Sequence, residues 1–272
     1  MVVPLTAPGR RMGCADDVPR DVARRWLEEY PRWVGAERIA RVESPMGPVV
    51  VKREPLSAYR RLLAALRLRP TRSEHAFRLG RKMLAAGVAT PRPLAWIALR
   101  ERGAPVEDGL VLEQVEAPTL SHVLLERSLA KDPNDREKQL LLGALAAAIA
   151  RLHGAGFRHR DLKAPNVLVA EEDQGPPKIV LVDLEGAGET GGPPSERVRA
   201  RDLARLAVSL STPIARAAGI EERDWGFLVA AYLRLAFDRP PDVADVARLV
   251  AETRAWARRH ATRNERRGRP IA

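Results

Sequence analysis

The chain has 272 residues, 45% of them apolar and 30% charged, a balance that supports a folded protein with a sizeable core and excludes disorder throughout. Its single cysteine, Cys14, excludes an intramolecular disulfide framework and fits a reducing compartment. The net charge of +11 is concentrated in residues 53–82, with nine Lys/Arg against Glu54 and Glu74, and in residues 254–269, with seven Arg against Glu265. Such localised charge reads as a surface for an anionic partner, with solvated helix faces as the alternative.

Residues 1–20 read as irregular, and a short helix is expected over 20–30, stopped by Pro31. Two strand-like runs at 38–43 and 48–53 are joined by Ser44-Pro45-Met46-Gly47, a hairpin signal. Tyr59, Leu62, Leu63 and Leu66 recur at helical spacing with Arg60, Arg61 and Arg67 between them, which predicts a basic amphipathic helix before Pro70. A second helix over 72–86 stops at Gly87. Thr90-Pro91-Arg92-Pro93 breaks the chain before strands at 94–99 and 110–115, with Gly103 and Pro105 in the turn between them.

After Ala117-Pro118 the character becomes helical, with helices at 120–127 and 135–153. Strands at 167–170 and 178–183 flank the turn Gly175-Pro176-Pro177, and helices at 195–211, 222–236 and 241–260 follow, with a frayed basic tail from 263. The expected fold is α+β in two lobes. An N-terminal extension (1–30) precedes a small β-rich N-lobe (31–116), and a mainly helical C-lobe (117–262) precedes the tail (263–272). The start of the chain has no apolar core of signal-peptide length, and the longest apolar stretch, 140–150, falls far short of the ~20 residues that span a bilayer. A cytoplasmic protein is expected, peripheral on the inner membrane if the basic segments meet acidic lipid.

The stretch His159-Arg160-Asp161-Leu162-Lys163-Ala164-Pro165-Asn166, followed by Ile179-Val180-Leu181-Val182-Asp183, carries the chemistry. An Asp, an Asn five residues on, and a second Asp at the end of a later strand are the acidic and amide apparatus of kinase-type phosphoryl transfer. Asp161 would accept the proton of an attacking hydroxyl. Asn166 and Asp183 would hold Mg²⁺, which takes few protein ligands and keeps positions open for phosphate oxygens. Lys163 would stabilise the transferring group, while His159 and Arg160 read as structural. His153 reads as a packing or helix-capping residue.

Upstream, Val49-Val50-Val51-Lys52 is an apolar strand with one Lys near its end, suited to grip the phosphates of ATP. Its expected partner is a Glu on the next helix, and Glu74 is the only acidic residue between Glu54 and Glu101. Backbone groups of Glu113-Gln114-Val115-Glu116-Ala117, chiefly at Glu113 and Val115, would bind adenine.

These residues together resemble the protein-kinase-like superfamily. The flanks, including Val51-Lys52-Arg53, Arg72-Ser73-Glu74, the Gly-Val-Ala-Thr-Pro-Arg-Pro run at 87–93, Leu152 to Leu162, and Arg201-Asp202-Leu203-Ala204-Arg205-Leu206, look like the bacterial lipopolysaccharide-core kinases, which phosphorylate Kdo or heptose. The resemblance covers about residues 40 to 215. It implies ATP and Mg²⁺ as cofactors, Lys52 and Glu74 for ATP positioning, Asp161 as base, Asn166 and Asp183 for metal, and Asp202 as a brace for the catalytic loop. The chain departs from protein kinases in having one glycine, Gly47, in the first hairpin and Leu184-Glu185-Gly186 after the metal Asp.

Only 18 residues separate Asp183 from Asp202, with no Ala-Pro-Glu anchor, which argues for a glycan or small acceptor rather than a peptide. The expected activity is therefore transfer of the γ-phosphoryl group of ATP to a sugar hydroxyl of a glycolipid of the lipopolysaccharide-core type. Nucleic acid is not an expected partner. The alternatives are a protein Ser/Thr kinase, an aminoglycoside-type phosphotransferase, and a non-catalytic nucleotide-binding scaffold.

Overall fold

The computed structural model describes residues 2–34, 38–66, 70–102, 104–130, 135–173, 175–237, 240 and 242–265. The chain divides into two compact units, one formed by Met1–Leu84 with Pro91–Val115 and the other by Ala85–Thr90 with Glu116–Ala272.

The first unit is built on a six-stranded antiparallel sheet of β1 (Val2–Ala7), β2 (Arg10–Ala15), β3 (Ile39–Ser44), β4 (Gly47–Pro55), β5 (Pro93–Glu101) and β6 (Ala104–Glu113), in the order β1-β2-β5-β6-β4-β3. Helices α1 (Arg20–Val34), α2 (Ala58–Ala65) and α3 (Arg72–Ala85) complete it. The start of the chain, expected to be irregular, is thus a hairpin that extends the sheet. Pro4 is tolerated because β1 lies at the edge, where a missing backbone donor costs no ladder bond. Helix α1 also runs past its expected stop at Pro31. The proline cannot donate to the carbonyl four residues back, Leu27, but Arg10 from β2 supplies a donor to that oxygen at 3.0 Å.

Strand register sorts the side chains of the sheet onto two faces. Val49, Val51, Val111, Ile97, Met12 and Cys14 share one face and are buried. Tyr30 of α1 lies over Gly109 on this face, so closely that a Cβ there would stand 2.3 Å from the tyrosine ring. The other face carries Lys52, Glu54, Asp108, Leu110 and Trp96, and the first turn of α3 is fastened to it. The expected basic helix is α2, whose Tyr59, Leu62 and nearby Leu66 are exposed. Gly103, Arg67 and the side chain of Arg60 lie outside the described residues, as do residues 266–272 of the expected tail.

The second unit contains α4 (Leu120–Ala130), α5 (Asp135–Gly154), β7 (Phe157–Arg158), β8 (Val167–Ala170), β9 (Lys178–Leu181), β10 (Gly188–Glu189), α6 (Glu196–Leu210), α7 (Pro213–Ala217), α8 (Glu222–Phe237) and α9 (Val243–Glu265). Leu141, Leu142, Leu145, Ile149 and Leu152 make α5 apolar along one stripe, which packs on Leu228 and Val229 of α8, while α6 packs on α9. Two short antiparallel pairs, β8 with β9 and β7 with β10, lie at the loop between α5 and α6. A β-sheet unit followed in sequence by a helical unit gives the chain an α+β fold.

Candidate active site

The loop between β7 and β8 ends in a 3₁₀ turn, Ala164–Asn166, so that Asn166 stands at the mouth of the β8–β9 hairpin. The antiparallel register pairs Val167 with Leu181, which brings Asn166 opposite Val182, and the Val182 N–H donates to the Asn166 carbonyl at 3.0 Å. Asp183, the next residue, takes the left-handed conformation (φ 66, ψ 57) as the chain leaves the strand. Two residues 17 positions apart in sequence are thereby held side by side by backbone hydrogen bonding.

Asn166 turns its Nδ2 toward Asp161, donating to the Asp161 carbonyl at 2.9 Å and to Oδ2 at 3.3 Å. Its Oδ1 is the acceptor that remains for a cation. Asp161 itself is about one-third exposed, with Lys163 Nζ 3.2 Å from Oδ2 and Arg205 Nη2 3.0 Å from Oδ1. Lys163 therefore sits against the candidate base in this structure.

Beneath the loop lies a buried polar chain. Asp202 on α6, 1% exposed, accepts from the His159 N–H and the Arg160 N–H, each at 2.7 Å. Its Oδ2 also lies 3.4 Å from His153 Nε2 at the end of α5. His153 Nδ1 meets the Tyr232 hydroxyl at 2.9 Å, and Arg199 donates to the same hydroxyl at 3.3 Å. Burial alone would raise the Asp202 carboxyl, but His153 and the two backbone donors outweigh it and hold the group below the usual carboxylate range. Burial pushes the Tyr232 phenol up to about 12.

His159 is fully buried and places Nε2 2.9 Å from the Val182 carbonyl. A carbonyl partner fixes Nε2 as the protonated nitrogen and leaves Nδ1, which has no hydrogen-bond partner, as the bare one. Burial lowers the imidazole pKa below its ordinary value, against the opposing pull of Asp202 and the Val182 carbonyl. A neutral imidazole thus ties the catalytic loop to the residue before Asp183.

In the first unit, Lys52 lies on β4 two residues from Glu54, and both face the side on which α3 begins. Glu54 forms an ion pair with Arg72, and Asp108 of β6 accepts from the Ser73 N–H at 2.7 Å, so a strand residue caps the helix. Burial raises the Asp108 carboxyl, partly offset by the Ser73 N–H and by the Thr71 and Ser73 hydroxyls. Glu74 follows at once, largely buried, and its Oε1 lies 2.5 Å from Arg78 Nη2 one turn along. The first turn of α3, which carries Glu74, is fastened to the sheet face that carries Lys52, and the ion pair Glu74 makes is with Arg78 on its own helix.

Glu113 ends β6, and its carboxylate meets Arg92 at 3.2 Å. The Glu113 N–H donates to the Arg92 carbonyl and the Gln114 N–H to the Pro48 carbonyl. Two of the amides in the segment expected to bind adenine are therefore committed to neighbouring chain, and Val115 follows as the last residue of the first unit.

Sequence reasoning missed Arg205, Asp108 and the His153–Tyr232–Arg199 chain. The signal for Arg205 was its position less than one turn after Asp202, on the helix expected to brace the loop. For Asp108 it was a carboxylate inside an otherwise apolar strand.

An amide oxygen from Asn166 and a carboxylate from Asp183 are donors of the kind that fit Mg²⁺, which binds through one or two protein oxygens and completes its shell with phosphate and water. Among the described residues no larger cluster of three or more His, Cys, Asp or Glu forms a self-sufficient cage.

Comparison with known proteins bears on this geometry. A profile of the lipopolysaccharide kinase (Kdo/WaaP) family matches residues 28–232. The 3-deoxy-D-manno-octulosonic acid kinase of Haemophilus influenzae (strain PittEE) is 30% identical over 168 residues, covering 61% of this chain and 65% of that protein. The protein of the same name from Xylella fastidiosa (strain M23) is 30% identical over 141 residues, covering 52% of this chain and 50% of its relative. The chain thus matches about two thirds or less of the length of these curated relatives. Among solved structures, WaaP in complex with acyl carrier protein superposes with a TM-score of 0.55 at 25% identity, covering 82% of this chain and 86% of that one.

Proposed function

The chain belongs to the lipopolysaccharide kinase (Kdo/WaaP) family, and from that premise we propose that it transfers the γ-phosphoryl group of ATP to a sugar hydroxyl of a glycolipid of the lipopolysaccharide-core type. The observation that carries the reading is the assembly of Asp161, Asn166 and Asp183 by backbone and side-chain hydrogen bonds, with Asp202 holding the loop from below. Such an arrangement supplies what phosphoryl transfer asks of a protein, namely positioning and electrostatic stabilisation.

In this reading Asp161 accepts the proton of the attacking hydroxyl, and Lys163 and Arg205 fix the direction its carboxylate faces. Asn166 and Asp183 are the residues that would hold Mg²⁺, whose chemistry is to offset charge on the phosphate oxygens. Lys52 and Glu74 set the ATP phosphates, and the backbone of Glu113 and Val115 takes the adenine. The sheet unit acts as the N-lobe and the helical unit as the C-lobe. No helix among the described residues is long and apolar enough to cross a membrane. We place the protein in the cytoplasm, in peripheral contact with acidic lipid through basic segments such as α2, where Arg61 accompanies exposed Tyr59 and Leu62. An acyl carrier protein was not among the expected partners; the complexed neighbour makes it a second candidate for a binding assay.

The test is a transfer assay with γ-labelled ATP against lipopolysaccharide-core acceptors, generic proteins and aminoglycosides. Core saccharide should be labelled, and Asp161→Ala and Asp183→Asn should each reduce the rate by ~10² or more while remaining folded. Near-wild-type turnover in either variant would overturn the assigned roles, and labelling of protein or aminoglycoside alone would overturn the acceptor.

A further inference from the structure

Helix α6 presents Arg197, Arg201 and Arg205 at intervals of four residues, so the three form one row along its outer side, while Arg199, Asp202, Leu203 and Leu206 face inward. One end of the row is the candidate base, where Arg205 meets Asp161. At the other end, α9 lays Trp256 against the row. The Arg201 guanidinium stands 4.5 Å from the centroid of the indole, Arg197 5.7 Å, and Arg259 of α9 4.6 Å.

Three like charges gathered on one ring repel one another, and no carboxylate among the described residues is within ion-pair distance of any of the three. The contrast within α9 is informative. Arg248 is paired with Glu196 and Asp245, and Arg254 with Glu222, so these two arginines of the helix are neutralised where it packs. Stacking holds a guanidinium by its flat face and leaves its N–H donors at the edge. The cluster is therefore a set of pre-positioned forks whose geometry matches carboxylate and phosphate.

We infer that Arg197, Arg201 and Arg259, gathered on Trp256, form the docking subsite for the acidic groups of the saccharide acceptor, carboxylate or phosphate, while the acceptor's hydroxyl is presented to Asp161. The inference rests on the reading of Asp161 as the base. Its reach follows from the helix: four residues rise ~6 Å, so Arg201 stands one turn and Arg197 two turns from Arg205. That span suits neighbouring anionic groups on one saccharide whose hydroxyl lies at Asp161, and the occupant is for that reason the acceptor itself rather than a bare lipid surface.

The probe is a deacylated core oligosaccharide containing 3-deoxy-D-manno-octulosonic acid, soluble and bearing carboxylates and phosphates. Its binding to the full chain is measured by calorimetry without ATP, and its phosphorylation is measured in parallel. The triple variant Arg197→Gln/Arg201→Gln/Arg259→Gln should bind about tenfold more weakly or worse, since each exposed charge contact is worth a few-fold. The loss should appear in the acceptor KM and not in the KM for ATP. Trp256→Phe, which keeps a stacking ring between the helices, should lose less than Trp256→Ala at equal thermal stability.

Phosphorylation with an unchanged acceptor KM in the triple variant overturns the subsite and leaves the proposed activity standing. A wild-type chain that neither binds nor phosphorylates the oligosaccharide overturns both. Phosphatidylglycerol vesicles free of saccharide form the third arm. If they bind as tightly as the oligosaccharide and lose binding in the same variant, the surface serves lipid and the saccharide subsite is overturned.

Discussion

Asp202→Asn isolates the contribution of one buried carboxylate to the active-site loop. The native group offers two oxygens to two backbone donors at 2.7 Å and also faces His153. An amide of the same shape keeps one acceptor and replaces the other with a donor, so the N–H of either His159 or Arg160 is left facing an NH₂. A buried unsatisfied donor costs about 1–3 kcal/mol, and loss of the charge on the remaining bonds about 1 kcal/mol each. The expected destabilisation is about 3–5 kcal/mol. In a chain of this size 1 kcal/mol moves the midpoint by roughly 2–4 °C, so a fall of about 6 °C or more should appear in a thermal melt followed by circular dichroism. Turnover should fall further than stability explains when assayed well below the melting point, because Asp161 is carried by the same loop. The variant should also lose part of the wild-type acid sensitivity. The Asp202 pKa is depressed in the folded state, so its stabilisation is present above about pH 4 and disappears as pH falls through the folded value. A variant melting within about 2 °C of wild type with equal turnover would refute the idea that Asp202 holds the loop.

Alanine variants of Lys52 and Glu74 should be strongly non-additive in kcat/KM, since loss of either group already frees the other; additive losses in a double-mutant cycle would remove Glu74 as the partner. The Arg78 contact sharpens this: Arg78→Ala should leave ATP affinity unchanged or improved if Glu74 serves Lys52, and should weaken it if Glu74 serves only its own helix. His159 predicts a separate pH window. Its folded pKa lies below the ordinary 6.5, so below that pH the unfolded chain takes up a proton that the folded one refuses, and stability should fall by up to about 1.4 kcal/mol per pH unit until the folded pKa is reached. Urea denaturation from pH 7.5 to 5 reads this slope, and a His159→Gln variant with the same slope would assign it elsewhere.

The parts of the site that could be read from sequence are those the chain keeps local. Asp161, Lys163 and Asn166 lie within one short loop, and the apolar run before Asp183 announces a strand, so both spacing and context were visible. Arg205 and Asp108 act on residues 44 and 35 positions away, and no local pattern encodes such a pairing. The same holds for the fold. An apolar run, Val49-Val50-Val51, beside a hairpin signal revealed β4 and the helical pattern revealed α5, but β1 and β2 lie in residues 1–20, which carry Pro4, Arg10 and Arg11 and read as irregular. Sheet pairing makes them strands, and Arg10 completes α1 by replacing the donor that Pro31 lacks. Propensity was overridden wherever a tertiary partner met a local deficit.

That pattern recurs at the chemistry. Arg160 and Asp183 both adopt positive φ, at 68° and 66°, a conformation that costs a non-glycine residue of order 1 kcal/mol or more and persists only where the surroundings determine it. Each is held by a different arm of one hydrogen-bond chain. Asp202 takes the Arg160 N–H, while His159 fixes the Val182 carbonyl just before Asp183. Val182 in turn reaches Asn166, and Asn166 reaches Asp161. The two strained residues bracket the groups assigned to proton acceptance and metal binding, so the geometry of those groups depends on the buried Asp202 and on a neutral His159 more than on the loop's own preferences. A change at either support should therefore disturb Asp161 and Asp183 together, whereas a change at Lys163, which meets the partly exposed Asp161 carboxylate, should leave the metal pair in place.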